Sequence, residues 1–196
     1  MKPEFRPDPV LKDVILIKPA RIGDARGWFS ETYNARLYAQ AGIPDDFVQD
    51  NESRSETIGT LRGLHFQLPP HAQAKLVRCT HGRILDVVVD IRQGSPTFGR
   101  HTSVELSAKN GQQLYVPAGF AHGFCTMEPD CEISYKVTAY YYAPEFDRGL
   151  AFDDPGLGIE WPFPAQDMVL SDRDRRHPRL SELGDVFPLA TAGAAR

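Results

Sequence analysis

Apolar and polar residues alternate with a period of two along much of this chain, the pattern of strands with one face buried. It predicts a first strand over 13–18, then a segment 22–31 that turns at Gly23-Asp24. One short helix is predicted over 34–40, with Asn34 placed to cap it and Gly42 and Pro44 placed to stop it. Residues 47–51 return to extended chain, and 52–59 read as a polar connection. From Leu61 to Thr138 the pattern is all β. Residues 76–80 meet a turn at His81-Gly82 and 83–92 run back. In that return strand Leu85, Val87, Val89 and Ile91 form one face, and Ile84, Asp86, Val88 and Asp90 form the other. A buried Asp86 would require a partner. Further short strands are predicted over 102–106, 113–116 and 133–138, separated by Gly- and Pro-containing turns. Such spacing argues for a β-sandwich or barrel, jelly rolls included. After Tyr140 the chain is loop-rich, and 184–196 has little to bury and is expected to be loose. The expected organisation is one domain over 1–183 and a tail over 184–196.

Composition narrows the function classes. A chain of 196 residues buries about 70% of its unfolded surface, enough for a core without metal or disulfide support. Its 22 Lys+Arg against 26 Asp+Glu give no electrostatic case for nucleic acid. Arg173, Arg175 and Arg176 cluster, but Asp172 and Asp174 interleave with them. Cys79, Cys125 and Cys131 lack metal-ligand spacing, and reduced thiols in the cytoplasm are expected. Met1-Lys2-Pro3-Glu4-Phe5 lacks the apolar core of a signal peptide, and no apolar run approaches a membrane span.

Candidate chemistry centres on Leu61–Gln67 and Lys75. Strict alternation puts His65 and Gln67 on one face and Arg62, Leu64 and Phe66 on the other. Lys75, Val77 and Cys79 share a face of the next strand. A base and a cation on adjacent strands suit removal of a proton from carbon, with the resulting charge held by the cation. On these residues alone, an ordinary β-protein with a surface histidine and lysine is the preferred reading.

Longer motifs change that balance. Gly111 followed by Pro117-Ala118-Gly119-Phe120-Ala121-His122 resembles the second motif of the cupin superfamily, in which a tight turn delivers a histidine into a barrel mouth. Where the first cupin motif has a His-x-His pair, this chain has His65-Phe66-Gln67. Two histidines without a third nitrogen or an evident carboxylate make a poor metal site, so a metal-free barrel is expected. The run from Gly23 to Asn34 (GDARGWFSETYN), Val48-Gln49-Asp50-Asn51 and Leu61–Gln67 then join four further strings: AQAKLVR from Ala72, DVVVDIR from Asp86, PAGFAHGF from Pro117 and Glu160-Trp161-Pro162. In order and spacing these closely resemble the dTDP-4-dehydrorhamnose 3,5-epimerase family, from about Val14 to Asp174.

The resemblance implies an all-β, cupin-type jelly-roll barrel of antiparallel strands with a few short helices. It also implies a homodimer with shared active sites and no metal or other cofactor. It makes His65 the general base, Asp174 its paired carboxylate, Lys75 the cation on the C4 oxygen and Tyr135 the acid on the opposite side of the sugar ring. Arg26, Arg62 and His122 match contacts to the nucleotide and its diphosphate. Glu31, Gln49, Asp50 and Asn51 match the segment reading the nucleoside, Phe29 belongs to the substrate-binding set, and Arg173 keeps the charge of a position often held by lysine. Tyr141, or Tyr142, matches an aromatic stacking on thymine, and Asp147, or Glu145, an acidic nucleotide contact. Arg26, Glu31 and the N-terminal strand would complete a neighbour's site by strand exchange. The expected activity is epimerisation of dTDP-4-keto-6-deoxy-D-glucose at C3 and C5 to dTDP-4-keto-L-rhamnose. The alternatives are a single-carbon epimerase or ketoisomerase on a related sugar, and a non-catalytic sugar-nucleotide-binding cupin. No nucleic acid or membrane partner is expected.

Overall fold

Two antiparallel sheets face each other across an apolar interior in the computed structural model, which describes residues 2–140 and 144–188. The strands are β1 (Glu4–Pro7), β2 (Ile15–Lys18), β3 (Ile22–Asp24), β4 (Gly27–Phe29), β5 (Gln49–Ser55), β6 (Leu61–Gln67) and β7 (Lys75–His81). They continue with β8 (Arg83–Asp90), β9 (His101–Ser107), β10 (Gln113–Val116), β11 (Phe120–Thr126), β12 (Cys131–Val137) and β13 (Asp147–Gly149). One sheet runs β1-β2-β10-β7-β12-β5 and the other β13-β6-β11-β8-β9, with β3 and β4 forming a separate hairpin. This is the expected jelly-roll barrel of the cupin type.

Burial explains the layering. Val77, Cys79, Leu114 and Ile133 from the first sheet pack on Ile84, Val88, Leu106, Phe120 and Phe124 from the second to fill the barrel. The helix α1 (Ala35–Gln40) covers the outer face of the first sheet, burying Tyr38 against Ile15, Ile17, Leu76 and Tyr115. The Asn34 side chain accepts from the backbone N–H of Leu37, as predicted for its cap. The outer face of the second sheet carries Leu64, Phe66, Val87, Val89 and Ile91, covered by Leu150, Leu157, Trp161, Leu180 and Phe187 from the loop-rich C-terminal part. Each fully buried side chain of this size stabilises the fold by about 1.5–3 kcal/mol, so the covering loops contribute like a third layer.

Both faces of β8 are therefore buried, which is why it reads as a nearly continuous apolar run. Its aspartates are compensated: Asp86 meets His122, and Asp90 accepts from Arg92, Ser95 and Thr97.

Several boundaries differ from the sequence reading. β7 and β8 meet at the expected turn, yet they lie in different sheets and do not pair. β5 extends through Glu52 to Ser55, so the predicted polar connection is partly an edge strand paired with β12. Exposed Asp50, Glu52 and Arg54 alternate there with the more buried Asn51, Ser53 and Ser55, and such a strand hides its period among polar residues. The segment 184–188, expected to be loose, is docked: Phe187 exchanges hydrogen bonds with Gln93 and packs on Phe66. No helix among the described residues is long and apolar enough to cross a membrane.

Candidate active site

His65 sits on β6 opposite His122 of β11, with Arg62 on the same wall. Strict alternation had put Arg62 on the other face with Leu64 and Phe66, and the structure corrects this. Between Arg62 and His65 the β6–β11 register shifts by one residue, which returns both side chains to the same cavity. Here β6 and β11 touch through Gly63 and Gly123: a Cβ on Gly63 would lie 2.6 Å from the Gly123 Cα. Leu64 and Phe66 remain in the covered outer core, as expected for their own period.

The cavity has a volume of about 570 Å³. Its second wall is the six-stranded sheet, where Lys75 and Val77 of β7 stand beside Ile133 and Tyr135 of β12. Tyr135 pairs in register with Val77, and Val137 with Lys75, so alternation alone puts phenol and ammonium on the same face. His65 and Tyr135 thus stand on opposite sheets with the cavity between them.

The floor comes from the C-terminal segment. Val169 bridges Thr60, and its backbone bonds to Gly59 and Leu61 hold the chain beside the start of β6. The segment then turns through Ser171, whose hydroxyl accepts from the Asp174 N–H. That turn brings Asp174 Oδ1 to 2.7 Å from His65 Nε2. An ionised carboxylate only accepts, so the facing ring nitrogen carries the proton and His65 Nδ1 remains the basic nitrogen.

Burial keeps the His65 imidazolium below its ordinary range, against the opposing pull of Asp174. Burial likewise brings the Lys75 ammonium down to about 8, opposed by Asp147 and Asp86. Asp174 is held well below the usual carboxylate range: burial opposes this, and hydrogen bonds from His177 and His65 outweigh it. At neutral pH the trio is a neutral imidazole, a carboxylate and a cation, the states needed for proton abstraction beside a carbonyl.

The remaining expected residues divide into groups. Arg62, His122 and Arg173 line the cavity. The His122 Nε2 lies 3.0 Å from both oxygens of Asp86, the partner that the buried aspartate required. The Asp147 side chain meets Arg173 and accepts from Gln67, and it is 8% exposed. Asp50 and Asn51 border a separate hollow of about 360 Å³, with Asp50 2.7 Å from Lys136 Nζ. Gln49 donates to Asn51 on the same strand. Arg26, Phe29 and Glu31 lie on or next to the β3–β4 hairpin and do not line the cavity. Arg26 pairs with Asp24 at 2.6 Å, and Phe29 is 68% exposed. Tyr141 and Tyr142 fall outside the described residues.

His177 escaped the sequence reading. It follows directly on the short helical turn Asp174–Arg176, with extended backbone, and its Nε2 lies 3.2 Å from Asp174 Oδ1. The expectation of two histidines with neither a third nitrogen nor a carboxylate is thereby corrected. His65 and His177 converge on one aspartate, while His122 is paired elsewhere.

A cupin-type barrel with an imidazole–carboxylate pair on one side of its cavity and an ammonium and a phenol on the other defines an enzyme of the acid–base isomerase class. Residues 9–182 match the model of the dTDP-4-dehydrorhamnose 3,5-epimerase family. The chain belongs to that family. It is 56% identical over 177 residues to the dTDP-4-dehydrorhamnose 3,5-epimerase of Sinorhizobium fredii, covering 90% of each chain. Among solved structures it resembles the dTDP-6-deoxy-D-glucose-3,5-epimerase of Legionella pneumophila, crystallised with dTDP-4-keto-L-rhamnose. The TM-score is 0.89 at 40% identity, covering 97% of this chain and 100% of that one. It also resembles a 3'-monoepimerase of Streptomyces bikiniensis in complex with dTDP-quinovose, with a TM-score of 0.83 at 34% identity, covering 93% and 92%.

Proposed function

We propose that this protein inverts C5 and C3 of dTDP-4-keto-6-deoxy-D-glucose to give dTDP-4-keto-L-rhamnose, serving dTDP-rhamnose synthesis in the cytoplasm. The observation that carries the reading is the placement of His65 and Tyr135 on opposite walls of one cavity that also holds Lys75. The substrate's 4-ketone makes both neighbouring C–H bonds acidic, so the reaction needs no redox cofactor. His65, oriented by Asp174, takes the proton from one face through Nδ1. Lys75 holds the C4 oxygen as it gains charge, a stabilisation that grows towards the enolate. Tyr135 delivers a proton to the opposite face. Arg62, His122 and Arg173 bind the nucleotide end, with arginine suited to paired phosphate oxygens.

Proton NMR of the product formed from this substrate in deuterated water tests the assignment. Inverted centres at both C3 and C5, each carrying deuterium, are expected. The similarity to the 3'-monoepimerase favours a second reading, epimerisation at one carbon, and inversion with label at C3 alone would select it.

The active protein is proposed to be a homodimer. Ile22 and Phe29 pair across the β3–β4 hairpin and are both exposed, as is Trp28, and exposed apolar groups of this size suit an interaction surface. Arg26, Phe29 and Glu31, matched to substrate contacts, stand away from their own chain's cavity and so complete a neighbour's. Light scattering should give about twice the 21.9 kDa chain mass. A fully active species of chain mass would rule the shared site out.

A further inference from the structure

We infer that His177 is a positioning residue for the proposed base: by donating a second hydrogen bond to Asp174 Oδ1 it fixes that carboxylate and divides its negative charge between two rings. The inference rests on the reading of His65 and Asp174 as the base and its partner.

The geometry is specific. Oδ1 of Asp174 lies 2.7 Å from His65 Nε2 and 3.2 Å from His177 Nε2, while Oδ2 is 3.5 Å from the Gly63 N–H. The two rings meet edge to face at 88° with centroids 5.5 Å apart. The side chains of Asp174 and His177 are 6% and 8% exposed, so water does little to replace a lost donor. Room for the second ring depends on Gly149 of β13, which pairs in register with His65. A Cβ at Gly149 would lie 2.2 Å from His177 Nε2, inside the space that the imidazole occupies. Strand β13 thus leaves a side-chain-sized gap against the base, and His177 fills it with a donor aimed at the carboxylate.

Sharing the carboxylate has a chemical consequence. A carboxylate with one donor concentrates its charge on His65 and makes that ring hold a proton tightly. A second donor disperses the charge, so His65 stays unprotonated and ready to accept from carbon. The hydrogen bond from His177 is the largest of the contributions keeping Asp174 ionised against burial. Other charged groups also face the pair. Lys75 comes from β7, Asp147 and Arg148 from β13, and Arg173 and Arg176 from the turn itself, while His122 with Asp86 lies across from His65 on β11 and β8. The contacts that meet Asp174 Oδ1 from ring nitrogens are those of His65 and His177.

The test is the pH dependence of kcat/KM, whose acid limb reports protonation of the coupled pair in the free enzyme. His177→Phe fills the gap but cannot donate. It should move the acid limb up by about one pH unit, the size expected for losing a hydrogen bond to a charged group. His177→Gln, which restores an N–H, should bring the limb back towards the wild-type position. An unmoved limb in His177→Phe, or equal shifts in both variants, overturns the proposal. Ring-nitrogen NMR of the wild-type protein decides independently of any variant's folding. His177 must carry its proton on Nε2 at neutral pH, and a proton found on Nδ1 alone refutes the donor role. A His65→Asn variant that stayed active would instead refute the underlying reading of the base, so the two failures are distinguishable.

Discussion

Substituting His65 with asparagine leaves a protein that folds but no longer takes solvent deuterium into C3 or C5 of the ketosugar. The amide keeps the approximate shape and a donor for Asp174, yet it offers no nitrogen that accepts a proton at neutral pH. General-base catalysis contributes about a hundred- to ten-thousand-fold, and both exchange and epimerisation should fall by at least that lower bound. Because abstraction precedes every later step, exchange and turnover decline together. Wild-type exchange in this variant would assign the base to another group.

The Tyr135→Phe variant should separate what His65→Asn abolishes as a unit. His65 and Lys75 remain, so the enolate still forms, but the wall facing His65 has lost its proton donor. His65 exchanges its captured proton with solvent and returns deuterium to the face from which it came. Label should then accumulate in recovered, uninverted substrate. Inversion should fall by about a hundred- to ten-thousand-fold, with exchange reduced far less. Mass spectrometry and NMR of unreacted substrate measure that ratio. Equal losses of exchange and inversion would remove Tyr135 from the role of opposite-face acid.

Much of this arrangement is legible from alternation alone. The two faces of β8, the shared face of Lys75 and Val77, and the Asn34 cap follow from local pattern and local hydrogen bonding. What escapes is non-local. A period of two says which residues share a face, but not which sheet a strand joins, so β7 and β8 look like a paired hairpin and are not. Strand β11 (FAHGFCT) is central and wholly buried, yet its glycine and histidine disguise it as a turn leading to a single residue. Arg62 reaches the cavity because two glycines let neighbouring strands close up and shift register, a property of the pair and not of either strand. His177 depends on a turn docking against β6 and on an absent side chain at position 149, and neither can be read from its own neighbourhood. The family resemblance supplied Asp174 and Tyr135, whose significance is otherwise invisible among ordinary loop acids and strand tyrosines.

The carboxylate that orients the proposed base travels with the outer covering of the five-stranded sheet, far along the chain from the histidine it serves. During synthesis the barrel strands therefore emerge from the ribosome before the imidazole acquires its partner, and the nascent chain stays inert until that last section settles. The same modularity gives protein engineers a handle: transplanting the closing loops between homologues would adjust proton affinity and the cavity floor while the strands carrying Lys75 and Tyr135 stay untouched.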